Sequence, residues 1–204
     1  MIGIIDYGVG NLFSLQSSFA AIGAQTFVSG DPGELGKADK LILPGVGAFG
    51  DAAQKLRDTC LDVFVREQAQ KGVPLMGICL GMQLLFEKGY EYGVQDGLGL
   101  LPGNVVPMKG KLPEQLKIPH MGWNALHIEN KNSKLLSRIK EEDYVYFVHS
   151  FYVEGCGDAL AATAEYGLPV TAAVEKGNIY GCQFHPEKSG EAGLNILRAF
   201  AFGG

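Results

Sequence analysis

The chain has 204 residues, 47% of them apolar, and a formal net charge of −5. Its pI is about 5.4 and its mean hydropathy is +0.09. Binding to nucleic acids or to acidic membrane surfaces requires a basic protein surface, so the acidic charge argues against both as main partners and favours a small-molecule substrate. The length suits one well-buried core, so we predict a single domain over residues 1–204.

The cysteines and the apolar runs bear on location. The four cysteines are Cys60, Cys79, Cys156 and Cys182. They show no Cys-x-x-Cys spacing, so we expect no disulfide framework, no metal site and no cofactor, and all except Cys79 are predicted to be small buried hydrophobes. No run approaches the roughly 18 apolar residues of a membrane helix, and residues 1–5 are too short for a signal peptide. A soluble protein of the reducing cytoplasm is therefore expected.

The first half of the chain alternates short apolar runs with helical patterns, which predicts parallel strands joined by crossover helices. The predicted strands are 2–5, 40–43 and 73–77, and the predicted helices are 11–22, 51–71 and 80–88. In the first helix the apolar residues share one face, Asn11 is placed to cap the start and Gly23 ends it. Gly72 and Gly89 are predicted to end the other two helices.

The second half is rich in strand patterns with short turns. The predicted strands are 104–108, 144–153, 161–166, 170–174 and 179–184. The turn at residues 176–178 predicts a hairpin, and Ser189 is predicted to cap a last helix. Together the patterns predict an α/β fold with an open, mostly parallel sheet flanked by helices and an antiparallel extension. Ligands bind such sheets at the carboxyl ends of the strands.

Residues 77–81, Gly-Ile-Cys-Leu-Gly, predict a nucleophile elbow with cysteine in the nucleophile's place. Small residues two before and two after the nucleophile let a strand turn sharply into a helix, which pushes the side chain out at the edge of the sheet. Cys79 is therefore expected to be exposed there, and the start of the helix favours its reactive thiolate. The pentapeptide predicts covalent catalysis.

A cysteine nucleophile needs a base, and His185 is the leading candidate. It closes the last apolar run, and Glu187 follows two residues on, where an extended chain returns side chains to the same face. Glu187 would hold the far ring nitrogen and fix its tautomer. Cys79, His185 and Glu187 would then be nucleophile, base and orienter.

The other histidines are predicted to be surface or hydrogen-bonding residues rather than bases. His127 has Glu129 at the same two-residue spacing, but it lies in a mixed polar stretch without a clear strand end. His120 has no such carboxylate. His127 and His149 stay open as alternative bases.

A glycine-rich motif at residues 45–50, Gly-Val-Gly-Ala-Phe-Gly, matches the dinucleotide fingerprint. That fingerprint also needs an acidic residue about 20 positions on, at the end of the next strand. Here the next strand ends at Cys79 and Glu67 falls inside a helix, so the dinucleotide interpretation fails. The turn is instead predicted to present the main-chain N–H of Val46 or Gly47, with that of Leu80, to a developing oxyanion.

Residues 77–83 (Gly-Ile-Cys-Leu-Gly-Met-Gln) and 184–187 (Phe-His-Pro-Glu) resemble the class I (triad) glutamine amidotransferases, over essentially the whole chain. Four further stretches resemble the glutaminase subunits of imidazole glycerol phosphate synthase within that family: residues 6–11, 44–50, 119–124 and 146–150. The resemblance implies a flavodoxin-like α/β fold and hydrolysis of glutamine to glutamate and ammonia.

The resemblance also implies roles for individual residues. Cys79 would attack the side-chain amide of glutamine, and His185 would protonate the ammonia and then activate water. The amino-acid end of glutamine would be held by Gln83, Glu91 and the main chain around Ser150 and Phe151. Chemistry alone leaves Gln83 open between a substrate contact and an ordinary exposed helix residue. Relatives often carry tyrosine at position 151, which matters little if only the backbone is used.

The implied partner is a separate (β/α)8-barrel cyclase subunit in a heterodimer. It would use the ammonia to form imidazole glycerol phosphate and aminoimidazole carboxamide ribonucleotide in histidine biosynthesis. Asn11, Trp123, Tyr146 and Lys188 would lie toward this partner. Two alternatives stay open: another cysteine hydrolase or amidotransferase on the same elbow, such as the glutaminase of pyridoxal phosphate synthesis, and a binding module that has lost its chemistry.

Overall fold

The computed structural model describes residues 1–203 and forms strands, helices and two short 3₁₀ turns, at 157–159 and 186–188. The strands are β1 Ile2–Ile5, β2 Thr26–Ser29, β3 Lys40–Leu43, β4 Leu75–Ile78, β5 Lys88–Gly89, β6 Gln95–Asp96, β7 Asn104–Pro107, β8 His120–Ala125, β9 His127–Ile128, β10 Tyr144–His149, β11 Phe151–Glu154, β12 Leu160–Glu165, β13 Pro169–Lys176 and β14 Ile179–Cys182. The helices are α1 Leu12–Ala21, α2 Pro32–Leu35, α3 Phe49–Asp58, α4 Leu61–Gln70, α5 Leu80–Leu84 and α6 Gly190–Phe202. Within residues 1–203, no helix is long and apolar enough to span a bilayer.

The main sheet has the strand order β2-β1-β3-β4-β14-β13-β12-β9. The pairs from β2 to β14 are parallel, and the remaining pairs, which include the β13–β14 hairpin, are antiparallel. This confirms the predicted open sheet with an antiparallel extension. Because β4 and β14 are parallel neighbours, the residues that follow them, Cys79 and Gln183 onward, emerge at the same edge of the sheet.

Helices cover both faces of this sheet, as alternating side chains require. Ile5 and Leu43 point to the face covered by α3 and α4, whereas Ile4 and Ile42 point to the face covered by α1 and α6. All four side chains are fully buried. Burial on both faces explains why the parallel strands are continuous apolar runs in the sequence rather than alternating ones.

Two smaller sheets lie beside the main one: β8 pairs with β10, and the second has the order β11-β7-β5-β6. The predicted strand 144–153 is therefore two strands, β10 and β11, in different sheets. The chain leaves one sheet for the other at Ser150, whose carbonyl accepts from the Met108 N–H at 3.0 Å and which lines a cavity.

The predicted helix 51–71 is two helices that meet at Cys60, whose φ of 56° lies in the left-handed region. The hydroxyl of Thr59 lies 2.8 Å from the Lys55 carbonyl and 3.1 Å from the Leu56 carbonyl. It donates to these carbonyl groups, which lie in the last turn of α3. No glycine or proline marks this break in the sequence. Cys60 is exposed at the turn, so its predicted burial is wrong.

The predicted helix 80–88 is also shorter, because α5 ends at Leu84. Gly89 is not a helix end but part of strand β5, and a Cβ there would lie 2.5 Å from the ring of Phe49. The glycine is needed for close packing of that ring rather than for a helix terminus. The elements without a counterpart among the predicted ones are the one-turn helix α2 and strands β2, β5, β6, β8 and β9.

Candidate active site

A cavity of about 350 Å³ opens where the carboxyl ends of the parallel strands meet the smaller sheets. Its walls are Val46, Gly47, Cys79, Leu80, Gln83, Glu91, Pro119, Val148, His149, Ser150, Phe151 and His185. The structure thus brings together the predicted nucleophile and base, the predicted oxyanion donors and the predicted substrate contacts. They come from loops after several different strands, which only the folded chain places side by side.

Cys79 sits at a strained turn between β4 and α5. Its φ of 54° and ψ of −112° are unfavourable for a residue with a Cβ, and its main-chain N–H donates to the Cys182 carbonyl at 2.8 Å, which holds the turn against β14. A Cβ at Gly77 would lie 2.6 Å from the main chain of Met82, and one at Gly81 would overlap the carbonyl oxygen of Leu43. Both glycines are therefore required for the elbow.

Cys79 is only 7% exposed, so the predicted exposed cysteine is wrong. It lines the cavity, and residues of the smaller sheets such as Val148, His149 and Phe151 form the walls around it. The elbow motif sets the direction of the side chain but not what is folded over it.

His185 and Glu187 form a buried pair beside Cys79. The His185 Nδ1 lies 2.8 Å from Glu187 Oε1, and because a carboxylate only accepts, Nδ1 carries the hydrogen. This leaves Nε2 as the ring nitrogen for chemistry. Burial lowers the pKa of His185, but hydrogen bonding and attraction by Cys79 and Glu187 outweigh it and raise the pKa to about 9. His185 is thus arranged to be protonated at neutral pH and to donate from Nε2.

The main chain of His185 is fixed by strand β10 and by Ser189. Its N–H donates to the Tyr146 carbonyl at 3.0 Å. The Ser189 hydroxyl donates to the His185 carbonyl at 2.6 Å and accepts from the Tyr146 N–H at 2.9 Å. The predicted role of Ser189 as a capping side chain is wrong, since its hydroxyl makes no capping bond to α6. It joins the turn at His185 to strand β10 instead.

Gln83 is 5% exposed, which excludes the interpretation as an ordinary exposed helix residue. Its Nε2 donates to the Phe151 carbonyl at 3.0 Å and to Gln183 Oε1 at 2.9 Å. Both amide hydrogens are therefore used within the protein, and the oxygen is the atom left for a ligand. Glu91 also lines the cavity, and its Oε2 accepts the main-chain N–H of Phe49 at 2.8 Å, which holds the carboxylate in place.

The alternative bases are excluded by their surroundings. His127 is partly exposed and lies 3.2 Å from Glu141 instead of pairing with Glu129, which accepts from a threonine. His149 lines the cavity, but its Nδ1–H donates to the Phe151 carbonyl at 2.8 Å and its Nε2 lies 2.9 Å from His120 Nδ1. Burial lowers the pKa of His149 to about 3. Both of its nitrogens are occupied, so His149 is a neutral structural group.

The glycine-rich turn and the start of α5, which carry the predicted oxyanion donors, both line the cavity. Gly47 has a φ of +94°, a conformation that favours glycine, and Val46 beside it is 46% exposed. Leu80 is the first residue of α5, so its N–H is one of those that a helix leaves without an intrahelical acceptor. No group of three or more His, Cys, Asp or Glu within residues 1–203 is arranged to hold a metal ion.

The four residues predicted to face a partner lie on one side of the site. Trp123 pairs with Tyr146 across strands β8 and β10 with ring centroids 6.0 Å apart, and Lys188 Nζ lies 6.0 Å from the Tyr146 ring. Asn11 caps α1, whose body contacts the turn that carries Lys188. Trp123 is 51% exposed, so this aromatic and basic surface is open to another molecule.

Two residues at the site were not predicted. The Tyr7 hydroxyl donates to the Pro44 carbonyl at 2.7 Å, just before the glycine-rich turn, and burial, with the nearby Cys79, raises the pKa of that hydroxyl. Gln183 lies next to Cys79, with Nε2 3.8 Å from its Sγ. The only signal for Gln183 in the sequence is a polar residue inside an otherwise apolar run.

Comparison with known proteins agrees with this geometry. Residues 4–203 match the family model "Glutamine amidotransferase class-I". The imidazole glycerol phosphate synthase subunit HisH of Bacillus licheniformis is 53% identical over 203 residues, covering 98% of this chain and 95% of that protein. The HisH subunit of Bacillus subtilis is 50% identical over 203 residues, with the same coverage of 98% and 95%.

Solved structures show the same fold at low identity. PurLQS from Thermotoga maritima superposes with a TM-score of 0.77 at 20% identity, covering 98% of this chain and 96% of that chain. A crystal structure of a glutamine amidotransferase superposes with a TM-score of 0.75 at 19% identity, covering 97% of both chains. With the family model and the identities near 50%, the chain belongs to the class-I glutamine amidotransferase family and, within it, to the HisH subunits of imidazole glycerol phosphate synthase.

Proposed function

We propose that this chain hydrolyses glutamine to glutamate and ammonia and supplies the ammonia to a cyclase subunit, which forms imidazole glycerol phosphate and aminoimidazole carboxamide ribonucleotide in histidine biosynthesis. The observation that carries the chemistry is the buried His185–Glu187 pair, 2.8 Å apart, in the same cavity as a cysteine held at a strained elbow. The HisH relatives support the assignment of the pathway.

In the first step, the Cys79 thiol gives its proton to His185 Nε2, and the resulting thiolate attacks the side-chain carbonyl carbon of glutamine, so that the carbonyl oxygen gains the negative charge. The N–H of Leu80, together with that of Val46 or Gly47, stabilises this oxygen. A donor of this kind is worth about 10²–10³-fold in rate, because it is already oriented before the charge develops.

In the second step, the tetrahedral intermediate collapses to a thioester as the C–N bond breaks. His185 donates its Nε2 proton to the leaving nitrogen, which departs as ammonia. The neutral ring then takes a proton from a water molecule that attacks the thioester carbon, and glutamate and the Cys79 thiolate leave. Glu187 keeps the hydrogen on Nδ1 throughout, so only Nε2 exchanges protons.

We assign the amino-acid end of glutamine to the wall formed by Gln83, Glu91, Ser150 and Phe151. The Gln83 oxygen and the Glu91 carboxylate are acceptors that suit the α-ammonium group, and main-chain N–H groups at residues 150–151 are donors that suit the α-carboxylate. The Phe151 side chain takes no part in this arrangement, so phenylalanine serves where relatives often carry tyrosine.

We assign the contact with a (β/α)8-barrel cyclase to the surface of Asn11, Trp123, Tyr146 and Lys188, in a heterodimer. Transfer within such a complex keeps ammonia from being protonated in bulk water, where it would lose its nucleophilic lone pair. We further propose that residues 1–204 form one amidotransferase domain and that the complex works in the cytoplasm without nucleic-acid or membrane partners; the free cysteines and the acidic charge support this.

The test is glutamate release from glutamine by the chain alone, and then with the cyclase subunit and its ribonucleotide ligand. Cys79→Ala removes the nucleophile, and Cys60→Ala is the matched control because Cys60 is exposed and lies outside the cavity. We expect strong stimulation that Cys79→Ala abolishes and Cys60→Ala retains. Robust activity that the cyclase leaves unchanged would indicate a different amidotransferase, and activity that persists in Cys79→Ala would refute the nucleophile.

A further inference from the structure

Gln183 is a polar side chain with no exposure at all, between Cys182 and Phe184, which are also fully buried. Burying an amide is costly unless its hydrogen-bonding groups are satisfied, so the position needs a reason. It is not a wall of the cavity and has no direct access to a substrate there. Its nearest polar neighbours are the Gln83 amide and, at 3.8 Å from Nε2, the sulfur of Cys79.

The orientation of the Gln183 amide is fixed by the Phe151 carbonyl, which acts through the Gln83 amide between them. The Phe151 carbonyl only accepts, so the Gln83 group that lies 3.0 Å from it is Nε2. The same Nε2 lies 2.9 Å from the Gln183 amide, which must present its oxygen. That leaves the Gln183 N–H group facing the sulfur. Turning the two amides over would set the Gln83 oxygen against the Phe151 carbonyl oxygen.

We propose that Gln183 is a further catalytic residue, which donates an N–H hydrogen bond to the Cys79 thiolate in a direction set by Gln83 and the Phe151 carbonyl. A thiolate forms twice in the reaction, before attack on the amide and when the thioester is hydrolysed. It forms at a buried sulfur with little access to water. An amide suits the task because it cannot lose its proton at either stage, whereas His185 gives its proton away. The inference rests on the proposed role of Cys79 as nucleophile.

Three titratable groups interact electrostatically with Cys79: His185, the Tyr7 hydroxyl and the Cys182 thiol. Substitutions at Gln183 leave all three in place. Gln183→Met keeps a similar length without a donor. Gln183→Glu keeps the shape and the acceptor for Gln83 but presents a carboxylate to the sulfur, so the two variants separate the donor from the space that it fills.

The test is the rate at which iodoacetamide alkylates Cys79 between pH 5 and 10, followed on the Cys79 peptide by mass spectrometry. Because a hydrogen bond to a charged group favours the charged form, we expect the pH of half-maximal rate to rise by about one unit in Gln183→Met and further in Gln183→Glu. Glutamate release should fall roughly tenfold or more in kcat, with KM in Gln183→Glu little changed, since Gln183 does not line the substrate cavity.

Thr171→Val is the matched control. Thr171 is a buried polar residue on strand β13 that donates to the Val153 carbonyl at 2.9 Å and does not line the cavity. Its loss should lower the melting temperature without moving the alkylation profile. The proposal is overturned if both Gln183 variants alkylate with the pH dependence of the unmutated chain.

A second measurement covers the case in which the Gln183 variants do not fold. This measurement keeps Gln183 and compares the unmutated chain with Cys79→Ala. The NMR shifts of the Gln183 side-chain amide protons should differ between the two, and equal shifts would refute the contact. Alkylation needs no glutamine. If the alkylation profile moves but no glutamate is released, the Gln183 contact stands and the proposed function is refuted. If glutamate is released but the alkylation profile does not move, the proposed function stands and the Gln183 contact is refuted.

Discussion

Two buried histidines of the cavity have pKa values displaced in opposite directions, and their hydrogen-bond partners explain why. His185 faces Cys79 and Glu187, both able to carry negative charge, and its pKa is raised to about 9 despite burial. His149 faces a main-chain carbonyl and a second histidine, so burial dominates and its pKa is lowered to about 3. Partner charge, rather than burial, decides which ring is an acid at neutral pH.

Replacing Glu187 tests this assignment for His185. Glu187→Gln removes the charge that helps to hold the proton on the ring, so the pKa of His185 should fall and the alkaline limb of glutamate release should move to lower pH. We expect kcat to fall by about 10²–10⁴-fold, as when the orienting acid of a triad is made neutral. The measurement is kcat as a function of pH. Glu129→Gln, at an exposed carboxylate outside the cavity, is the control, and an unmoved alkaline limb in Glu187→Gln would contradict the assignment.

The shifted pKa of His149 predicts a pH-dependent stability. Between pH 6.5 and 3 the unfolded chain binds a proton at His149 that the folded chain does not, so the free energy of unfolding should fall as the pH falls through this window. His120, whose pKa is also lowered, acts in the same direction. His185 has a raised pKa, so its contribution is fully present below about pH 6.5 and is lost only as the pH rises through about 9.

Urea unfolding at pH 6 and pH 5 checks this prediction, because most carboxyl groups titrate at lower pH. We expect a loss of up to about 1.4 kcal/mol per pH unit for each such histidine, and a smaller slope in His149→Gln. His127→Gln, at a partly exposed ring, should keep the full slope. If His149→Gln shows an undiminished slope, another group is responsible.

The positions of the side chains that we propose as catalytic were predictable from the sequence, whereas their surroundings were not. Glycine spacing marks an elbow, and a histidine at the end of an apolar run followed by a carboxylate marks a strand end. Both patterns are local. The contact between Cys79 and Gln183 joins residues 104 positions apart, and the burial of Cys79 comes from the smaller sheets. Such features depend on tertiary packing, which no local pattern in the sequence encodes.

Turns at the ends of elements, rather than the elements themselves, position the groups of the site. The strand-to-helix turn at Cys79 and the glycine-rich turn after β3 come within contact distance, since a Cβ at Gly45 would lie 2.6 Å from the Gly81 nitrogen. The sequence identified these turns through their glycines. It failed at the break between α3 and α4, where Cys60 adopts the left-handed conformation without a glycine.

A pair of glycine-to-alanine substitutions tests how tightly the elbow is packed. In Gly77→Ala the new Cβ would lie 2.6 Å from the main chain of Met82, and backbone cannot move aside as a flexible side chain does. We expect a loss of about 1–3 kcal/mol in the free energy of unfolding, as for overpacked cores. Gly50→Ala is the control. Gly50 lies in helix α3, and a Cβ there would meet only the flexible side chain of Gln95, at 3.3 Å. It should be neutral or stabilising by up to about 1 kcal/mol.

Denaturant unfolding of the two variants gives the comparison. Equal stability of Gly77→Ala and the unmutated chain would mean that the helix after the elbow moves easily. In that case the strained conformation of Cys79 would not be imposed by the packing of α5 against β4.

At the scale of the whole molecule, the surface that we assign to the cyclase is connected by hydrogen bonds to His185, the proposed catalytic histidine. Tyr146 presents its ring beside Trp123 on the outside, and its main-chain carbonyl accepts from the His185 N–H at 3.0 Å. The Tyr146 N–H in turn donates to Ser189, which also holds the His185 carbonyl. A partner that displaces strand β10 would therefore displace His185 through three hydrogen bonds.

Trp123 provides the measurement for this surface because it is the only tryptophan of the chain. Its ring is 51% exposed, so docking of the cyclase should bury it and shift its fluorescence to the blue when the cyclase itself carries no tryptophan. Trp123→Ala should weaken association by about tenfold or more in calorimetric titration, as truncation of a central aromatic anchor does.

Phe202→Ala is the control for the loss of an exposed aromatic side chain. Phe202 lies on α6 and is 57% exposed. Close to it, the Lys40 ammonium at the start of β3 donates to the carbonyls of Phe200 and Gly203. Phe202 therefore lies near the amino ends of the parallel strands, away from the cavity. Its loss should leave the affinity for the cyclase unchanged. Equal affinities for Trp123→Ala and Phe202→Ala, with no change in fluorescence on mixing, would place the partner on another face. The hydrogen bonds that connect Tyr146 and Ser189 with His185 would then have a structural role only.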